Sequence, residues 1–290
     1  MDLQKLDEIK RIAIIALFSD DDLMDWLVLK GGNALDLVYN IADRASLDLD
    51  FSTDRAFSHA EVLVVEQKIL KVLAETFRAN GFEAFDIHFK EVPEVRDAHT
   101  PDFWGGYLIE FKVIDRDTFA ALKDDARALR VSAIEAGPAH RRKFKISISK
   151  MEYCAVRGQV EFDDYTVYVY TPEMIVFEKL RAICQQMPNY LPNTTPVARA
   201  RDFFDIHTIM EHFGMKAIAS PTSPLLRNIF EAKRVPLALI GRIAEYREYH
   251  RPDFASVQAT VKPNTKLKDF DFYFEYVVER CRHLKPLWEE

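Results

Sequence analysis

The stretch KGGNALDLVYNIADRASLDLDFSTD, from Lys30 to Asp54, decides the fold. After Gly31-Gly32, apolar residues recur at helical spacing, which predicts a helix. The segment SLDLDFS that follows alternates apolar and polar residues, which predicts a strand. Because residues i and i+2 of a strand share a face, Asp48 and Asp50 present two carboxylates side by side.

This carboxylate pair predicts a cation site. Adjacent negative charges repel and are costly to bury, and Mg²⁺ is typically held by one or two carboxylates while phosphates complete its shell. Gly31-Gly32 agrees with this, since glycine lets the backbone approach a phosphate and a helix N-terminus offers free N–H groups. The order predicts a phosphate cradle beside a metal site. Taken singly, each feature also has an ordinary explanation, because solvent-facing strand acids and Gly-Gly turns are common.

Composition limits the class of protein. The chain has 290 residues, of which 48% are hydrophobic, and a net charge of −7, as in an ordinary globular protein. No apolar run reaches the length of a membrane span, and the N-terminal segment predicts an amphipathic helix rather than a signal peptide. Three cysteines without metal-binding spacing suit a reducing compartment. We therefore expect a cytoplasmic protein whose nucleic-acid contacts, if any, depend on local basic patches.

The pattern changes near residue 170. Helices are predicted over 5–18, 21–29, 58–80 and around 117–135, and strands over EAFDIHFKEV, YLIEFKVID, KFKISISKMEY and TVYVY. Thr171-Pro172-Glu173 begins a further helix with an N-cap, a proline and an acid in the first turn, and the remainder is mainly helical. We predict an α/β (α+β) fold with a mixed-sheet domain, residues 1–170, followed by a mainly helical C-terminal domain, residues 171–290.

The order Gly-Gly, helix, Asp-x-Asp resembles the polymerase-β-like nucleotidyltransferase superfamily. The string LKGGNAL followed by RASLDLDF is similar to the AbiEii/AbiGii toxin family within it, the toxins of type IV toxin–antitoxin and abortive-infection systems. YTPEMIVFEKLRAI is similar to the family's helix with a Lys-Leu-x-Ala element, and RARDFFDIHTI to its Arg-Asp motif. The four pieces occur in family order, so the resemblance implies that residues 1–170 form the nucleotidyltransferase domain.

The resemblance assigns a nucleotide-binding role to the first motif. It implies that Gly31, Gly32 and Asn33 hold the NTP phosphates. It also implies that Ser46 lies beside the metal site and bonds a phosphate.

The resemblance assigns the chemistry to four further residues. Asp48 and Asp50 would bind Mg²⁺ or Mn²⁺. Lys179 would meet the triphosphate and stabilise charge on the leaving pyrophosphate. Asp202, the first acid of the last motif, would belong to the active site, with Lys179 and Asp202 contributed to the cleft by the C-terminal domain.

The sequence departs from the family pattern at one acid. A third metal-binding carboxylate is expected in a run like Lys-Ile-[Asp/Glu]-Ile-Ser, and this chain has Ser147 there. That acid commonly helps the acceptor hydroxyl to become a nucleophile, so its replacement puts catalytic competence in doubt. Glu110 on a neighbouring strand is a candidate substitute.

Several of these residues also have structural explanations. Lys179 lies on an amphipathic helix, where lysines are usually solvated. Asp202, in a first helical turn, complements the helix dipole. Asp205 could orient Lys179 or Arg201 from behind the site, and Arg44 could pair with one of the strand acids or form a surface ion pair.

The resemblance implies an enzyme that transfers NMP from an NTP to RNA, with a tRNA 3′ end as the acceptor. The basic segment HRRKFK, residues 140–145, and the pair Arg199 and Arg201 could contact RNA phosphates, although a solvated charged surface is the commoner explanation. A cognate antitoxin is implied as a partner that forms no stable complex with the toxin. No membrane partner is expected.

Two other functions stay open. The first is a nucleotidyltransferase that modifies a protein or a small molecule, because the sequence does not distinguish acceptors. The second is a non-catalytic relative that keeps the nucleotide pocket, which Ser147 favours. NTP binding without pyrophosphate release would distinguish it from an enzyme.

Overall fold

A computed structural model describes residues 3–41, 48–94, 100–137, 139–220, 223–262 and 265–288. The strands are β1 (Val28–Lys30), β2 (Leu49–Ser52), β3 (Phe82–Val92), β4 (Gly106–Asp115), β5 (Phe144–Ser149), β6 (Gly158–Phe162) and β7 (Tyr165–Val169). The α-helices are α1 (Leu3–Phe18), α2 (Asp21–Trp26), α3 (Gly31–Asn33), α4 (His59–Ala79), α5 (Arg116–Leu122), α6 (Ala126–Ser132), α7 (Pro172–Cys184), α8 (Ala200–His212), α9 (Pro224–Glu231), α10 (Arg247–His250), α11 (Phe254–Thr260) and α12 (Phe270–Cys281). A π-helical turn (Ala34–Val38) continues α3, and 3₁₀ segments cover Leu237–Tyr246, Arg251–Asp253 and Arg282–Leu287.

The seven strands form one mixed sheet in the order β3-β4-β5-β2-β1-β7-β6. The central strand β2 runs antiparallel to β1 and parallel to β5, while β1 runs parallel to β7. The structure therefore confirms an α+β fold with a mixed sheet, and the named elements after β7 are helices.

The register aligns polar residues across the centre of the sheet. Lys30 of β1 lies opposite Asp50 of β2, which lies opposite Ser147 of β5. Because residues opposite each other in neighbouring strands share a face, this row lies on one side of the sheet. Leu49 and Phe51 are buried on the other side, where Phe18 of α1 lies 6.1 Å from the Phe51 ring. One face is thus hydrophobic core, and the other is polar at its centre.

Two local predictions are wrong. The helix predicted over 21–29 ends at Trp26, and Val28–Lys30 forms β1 instead. All three residues of β1 are buried, and strands pair with it on both sides, so tertiary pairing overrides the local pattern. The second error is β6, which was not predicted. The two-residue turn Asp163-Asp164 joins β6 to its partner β7, and both residues have a positive φ. Asp tolerates this turn conformation.

A buried ion pair connects the sheet to the helical half. Arg181 of α7 donates to both carboxylate oxygens of Glu152, which follows β5, at 2.6 and 3.1 Å. Both side chains are 3% exposed.

Among the described residues, no helix combines the length and the apolar character needed to cross a membrane.

Candidate active site

Six residues that the sequence assigned to the active site line one cavity of about 460 Å³ on the polar face of the sheet: Gly31, Gly32, Asp48, Asp50, Lys179 and Asp202. The basic pair Arg199 and Arg201 lines it too. We call it the aspartate cavity. The residues come from α3, from β2 and the position just before it, from α7 and from α8, so chain segments far apart in sequence meet there. Ser147 lies at the same cavity.

Gly31 lies directly against Asp50. Its φ of +69° belongs to the left-handed region, and a Cβ added at Gly31 would lie 3.0 Å from Asp50 Oδ2. Both the conformation and the close approach require glycine. The sequence linked this glycine to phosphate, and the structure adds that it leaves room for a carboxylate.

Asp50 carries a perturbed carboxyl group. Burial, together with the nearby charges of Glu178 and Asp48, raises its pKa to about 6 against the lowering effect of Lys30 and Lys179. A carboxylate that is destabilised in this way is one that a bound cation would stabilise.

Asp48 is held from two directions. Its side chain, 41% exposed, accepts a bond of 2.9 Å from Arg141, a member of the basic segment 140–145. Its main-chain carbonyl accepts a bond of 2.6 Å from the Asn33 side-chain amide, whose oxygen accepts from Lys10 at 3.2 Å. Asn33 is completely buried. Its side chain therefore supports Asp48, and the predicted nucleotide contact of Asn33 would fall to its main chain.

The donor set at the aspartate cavity is compatible with Mg²⁺ or Mn²⁺. Among the described residues there is no group of three or more His, Cys, Asp or Glu side chains arranged to hold a metal. Mg²⁺ needs only one or two carboxylates when substrate phosphates complete its shell. Asp48 and Asp50, with the raised pKa of Asp50, meet that requirement.

Lys179 is clamped between two acids. Its Nζ donates to Asp202 at 3.0 Å and to Asp205 at 2.7 Å, and the lysine is only 5% exposed. Arg199 Nε lies 3.0 Å from the other Asp202 oxygen, a charge contact without the alignment of a hydrogen bond. Asp205 thus contacts Lys179, as expected of a supporting residue, and Lys179 is not a solvated surface lysine.

The sequence analysis missed three charged residues of the cavity, namely Lys30, Glu178 and Asp253. Lys30 Nζ donates to Ser149 at 3.1 Å and to Glu178 at 3.3 Å. Burial raises the pKa of Glu178, but the cations Lys30, Arg181 and Lys179 outweigh it and lower that pKa to about 2. Glu178 is therefore a fixed negative charge. Two sequence signals could have identified Lys30 and Glu178. Glu178 is next to Lys179 in the chain, and Lys30 is next to Gly31.

The remaining predicted residues are Glu110, Arg44 and Ser46. Glu110 lies on β4 opposite Lys145, and its carboxylate lies 3.5 Å from Lys143 and 3.9 Å from Lys145, two residue pairs along from Ser147. Arg44 and Ser46 lie outside the described residues. Glu110 as a replacement for the missing acid stays a prediction.

A buried histidine behind the cavity makes a testable contribution to stability. His250 is completely buried, and its Nδ1 accepts a bond of 3.1 Å from the main-chain N–H of Arg199. Burial lowers its pKa from 6.5 to about 4. The unfolded chain therefore takes up a proton before the folded chain does. We expect the free energy of unfolding to fall by about 3 kcal/mol through this group between pH 6.5 and pH 4.

The measurement is denaturant unfolding across that pH window, for the wild type and for His250→Gln, whose amide oxygen can accept from Arg199 without titrating. Subtracting the two curves removes the titration of other groups, including Asp50. Parallel curves for the two proteins would contradict the prediction.

Comparison with known proteins identifies a family and a fold. The model of the family "Nucleotidyl transferase AbiEii toxin, Type IV TA system" matches residues 13–276. No curated protein matches the sequence. The crystal structure of a candidate nucleotidyltransferase from H. pylori is 17% identical, with 99% of this chain and 96% of that chain covered and a TM-score of 0.54. The crystal structure of an antigenic nucleotidyltransferase-like protein from Paracoccidioides brasiliensis is 16% identical, with 88% of this chain and 94% of that chain covered and a TM-score of 0.42.

The family match extends from α1 to α12 and includes every described residue that the sequence assigned to the site. The H. pylori structure independently supports the fold. The chain therefore belongs to the AbiEii family, the nucleotidyl transferase toxins of type IV toxin–antitoxin systems.

Proposed function

We propose that this chain transfers NMP from an NTP to an RNA acceptor, with a tRNA 3′ end as the first candidate, and that it requires Mg²⁺ or Mn²⁺. The observation that carries this proposal is the convergence of Gly31, Asp48, Asp50, Lys179 and Asp202 on one cavity. Family membership implies an NTP substrate and an antitoxin partner, which we propose counteracts the toxin without a stable complex.

The transfer exchanges one bond for another. The acceptor oxygen forms a bond to the α-phosphorus, the bond from that phosphorus to the bridging oxygen breaks, and pyrophosphate leaves. The acceptor hydroxyl gives its proton to water, because Ser147 opposite Asp50 is not a base at neutral pH. A divalent cation held by Asp48 and Asp50 would neutralise charge on the phosphates.

The protein residues would position the triphosphate and receive the leaving charge. The Gly31 backbone lies against Asp50 with no side chain between them, and the triphosphate would approach the glycine backbone there. Lys179 would exchange its contact with Asp202 or Asp205 for the leaving pyrophosphate, since phosphate oxygens compete with carboxylates for the same ammonium group. Lys30 stays with Glu178 and keeps that carboxylate from repelling the substrate.

Removing either acid tests the proposal. Asp48→Asn and Asp50→Asn are each expected to lower transfer at least about 10²-fold, because the charge stabilisation supplied by a cation depends on them. Purified protein is incubated with Mg²⁺, each α-labelled NTP in turn and total RNA. Asp163→Asn is the matched control, since Asp163 is also half-exposed (43%) and paired with an arginine, Arg11, away from the cavity.

Each outcome separates the alternatives. Label in a tRNA-sized band that depends on both acids supports transfer to RNA. Label that enters protein instead assigns the same chemistry to another acceptor. NTP binding without pyrophosphate release contradicts catalysis and favours a non-catalytic relative in which Ser147 replaces the lost acid.

A further inference from the structure

A second cavity of about 330 Å³ adjoins the aspartate cavity. We call it the Trp104 cavity. It extends over β5 and the start of β4 as far as the half-buried indole of Trp104. The two cavities share five lining residues, namely Lys30, Ser147, Ser149, Glu178 and Arg199. They therefore form one continuous cleft across the centre of the sheet.

The two cavities differ in charge. Among its described lining residues the aspartate cavity has five acids and four cations. The Trp104 cavity has two acids, Glu152 and Glu178, against four cations: Lys30, Arg181, Arg199 and Lys233. Burial, with repulsion from Arg181 and Lys30, lowers the pKa of Lys233 to about 8. The Trp104 cavity is therefore suited to an anion, while the aspartate cavity is suited to a cation.

Trp104 is fixed in place by its neighbours. Lys233 Nζ donates to the carbonyl of Phe103 at 2.9 Å and to that of Lys150 at 2.6 Å. Gly105 has a φ of +85°, and a Cβ there would lie 2.2 Å from the Val92 carbonyl oxygen. The backbone on both sides of Trp104 is thus constrained, and the indole ring packs against that of Tyr190, with 6.2 Å between the ring centroids.

The position of this cavity follows from the order of the strands. Gly31 follows β1, Asp50 lies on β2, Ser147 on β5, and Trp104 precedes β4, in the spatial order β1-β2-β5-β4. In phosphoryl transfer the attacking and leaving oxygens lie on opposite sides of the phosphorus. If Gly31 and Lys179 hold the phosphates that leave, the attacking oxygen comes from the side of Ser147 and Trp104.

We infer that the Trp104 cavity binds the 3′-terminal nucleotide of a single-stranded RNA acceptor, with a base stacked on Trp104 and a phosphate at Arg199, whose side chain is 36% exposed. Arg181 and Lys233 are held by Glu152 and by main-chain carbonyls, and they add positive charge from beneath the cavity. Stacking on an aromatic ring beside cationic groups is how single-stranded nucleic acid is held without sequence preference. This inference rests on the proposed function and adds where the acceptor enters.

The first test measures binding alone. The chain has three tryptophans, so Trp26→Phe/Trp288→Phe leaves Trp104 as the only one. We expect a single-stranded trinucleotide with a free 3′-hydroxyl to quench the Trp104 fluorescence in a salt-dependent manner, and an NTP alone to leave it unchanged. Quenching by the NTP alone would assign the cavity to the donor base and overturn the inference, as would no quenching by RNA.

The second test measures transfer. Trp104→Ala is expected to raise the KM for the RNA acceptor about tenfold and to leave the KM for the NTP unchanged, while Trp104→Phe retains most of the stacking. Trp26→Phe is the control away from the cleft. An unchanged acceptor KM for Trp104→Ala would overturn the inference. If the wild type bound RNA through Trp104 but transferred nothing, the proposed function would fail while the binding site stood.

Discussion

Lys179→Met is expected to lower the rate of nucleotidyl transfer by about 10²- to 10³-fold, the usual loss when one group that stabilises developing negative charge is removed. Methionine keeps the apolar stem but has no charge for the leaving pyrophosphate. The change also leaves Asp202 and Asp205, previously 3.0 and 2.7 Å from the ammonium group, without that cation. Breaking a buried pair from one side costs about 3–5 kcal/mol of stability.

The loss of activity and the loss of stability can be separated. Lys179→Met/Asp205→Asn removes one of the two negative charges and is expected to recover part of the stability without recovering the rate. Lys68→Met is the control, because Lys68 also bridges two aspartates, Asp20 at 2.8 Å and Asp22 at 2.9 Å, but is 26% exposed and lies away from the cleft. A folded Lys179→Met protein with nearly normal kcat would exclude a role for this lysine in charge stabilisation.

Gly31→Ala is expected to lower transfer by about 10²-fold, because displacing a reacting group by about 1 Å costs that much. The new methyl carbon would lie 3.0 Å from Asp50 Oδ2, so either the carboxylate or the backbone must move. The left-handed conformation of alanine adds a strain of about 1–2 kcal/mol.

Gly81→Ala separates strain from displacement. Gly81 has a φ of +83°, and a Cβ there would meet nothing within 4 Å. Unfolding and transfer are measured on both variants. Similar losses of stability with a loss of transfer only in Gly31→Ala would support the contact with Asp50. Equal transfer in the two variants would show that Asp50 tolerates the methyl group.

The sequence predicted those features that depend on residues close together along the chain. The spacing of Asp48 and Asp50 placed both acids at one cavity, although only Asp50 lies within β2. A loose alignment of the strands put Ser147 where the family has its third acid, and Ser147 lies directly opposite Asp50. The helix start at Thr171 is confirmed by its side chain, which accepts from the N–H of Met174 at 3.2 Å.

The sequence was uninformative where function depends on residues that are distant along the chain. Glu178 has the pattern of a solvated helical acid, but the approach of Lys30, 148 positions earlier, makes it a half-buried site residue. Arg141 reaches Asp48 across 93 positions. β1 is too short to have a period of its own, so its two neighbouring strands define it. The fold brings such residues together, so no local sequence pattern predicts the pairs.

The strand order has a consequence for synthesis of the protein on the ribosome. β1 and β2 leave the ribosome before the other strands, and their neighbours in the sheet, β5 and β7, follow about a hundred residues later; Thr260 of the cavity wall follows later still. While residues 51–146 are synthesised, the nascent chain holds Asp50 without Ser147, Lys179 and Asp202. We expect a translation product that is interrupted before Asp202 to have no transfer activity.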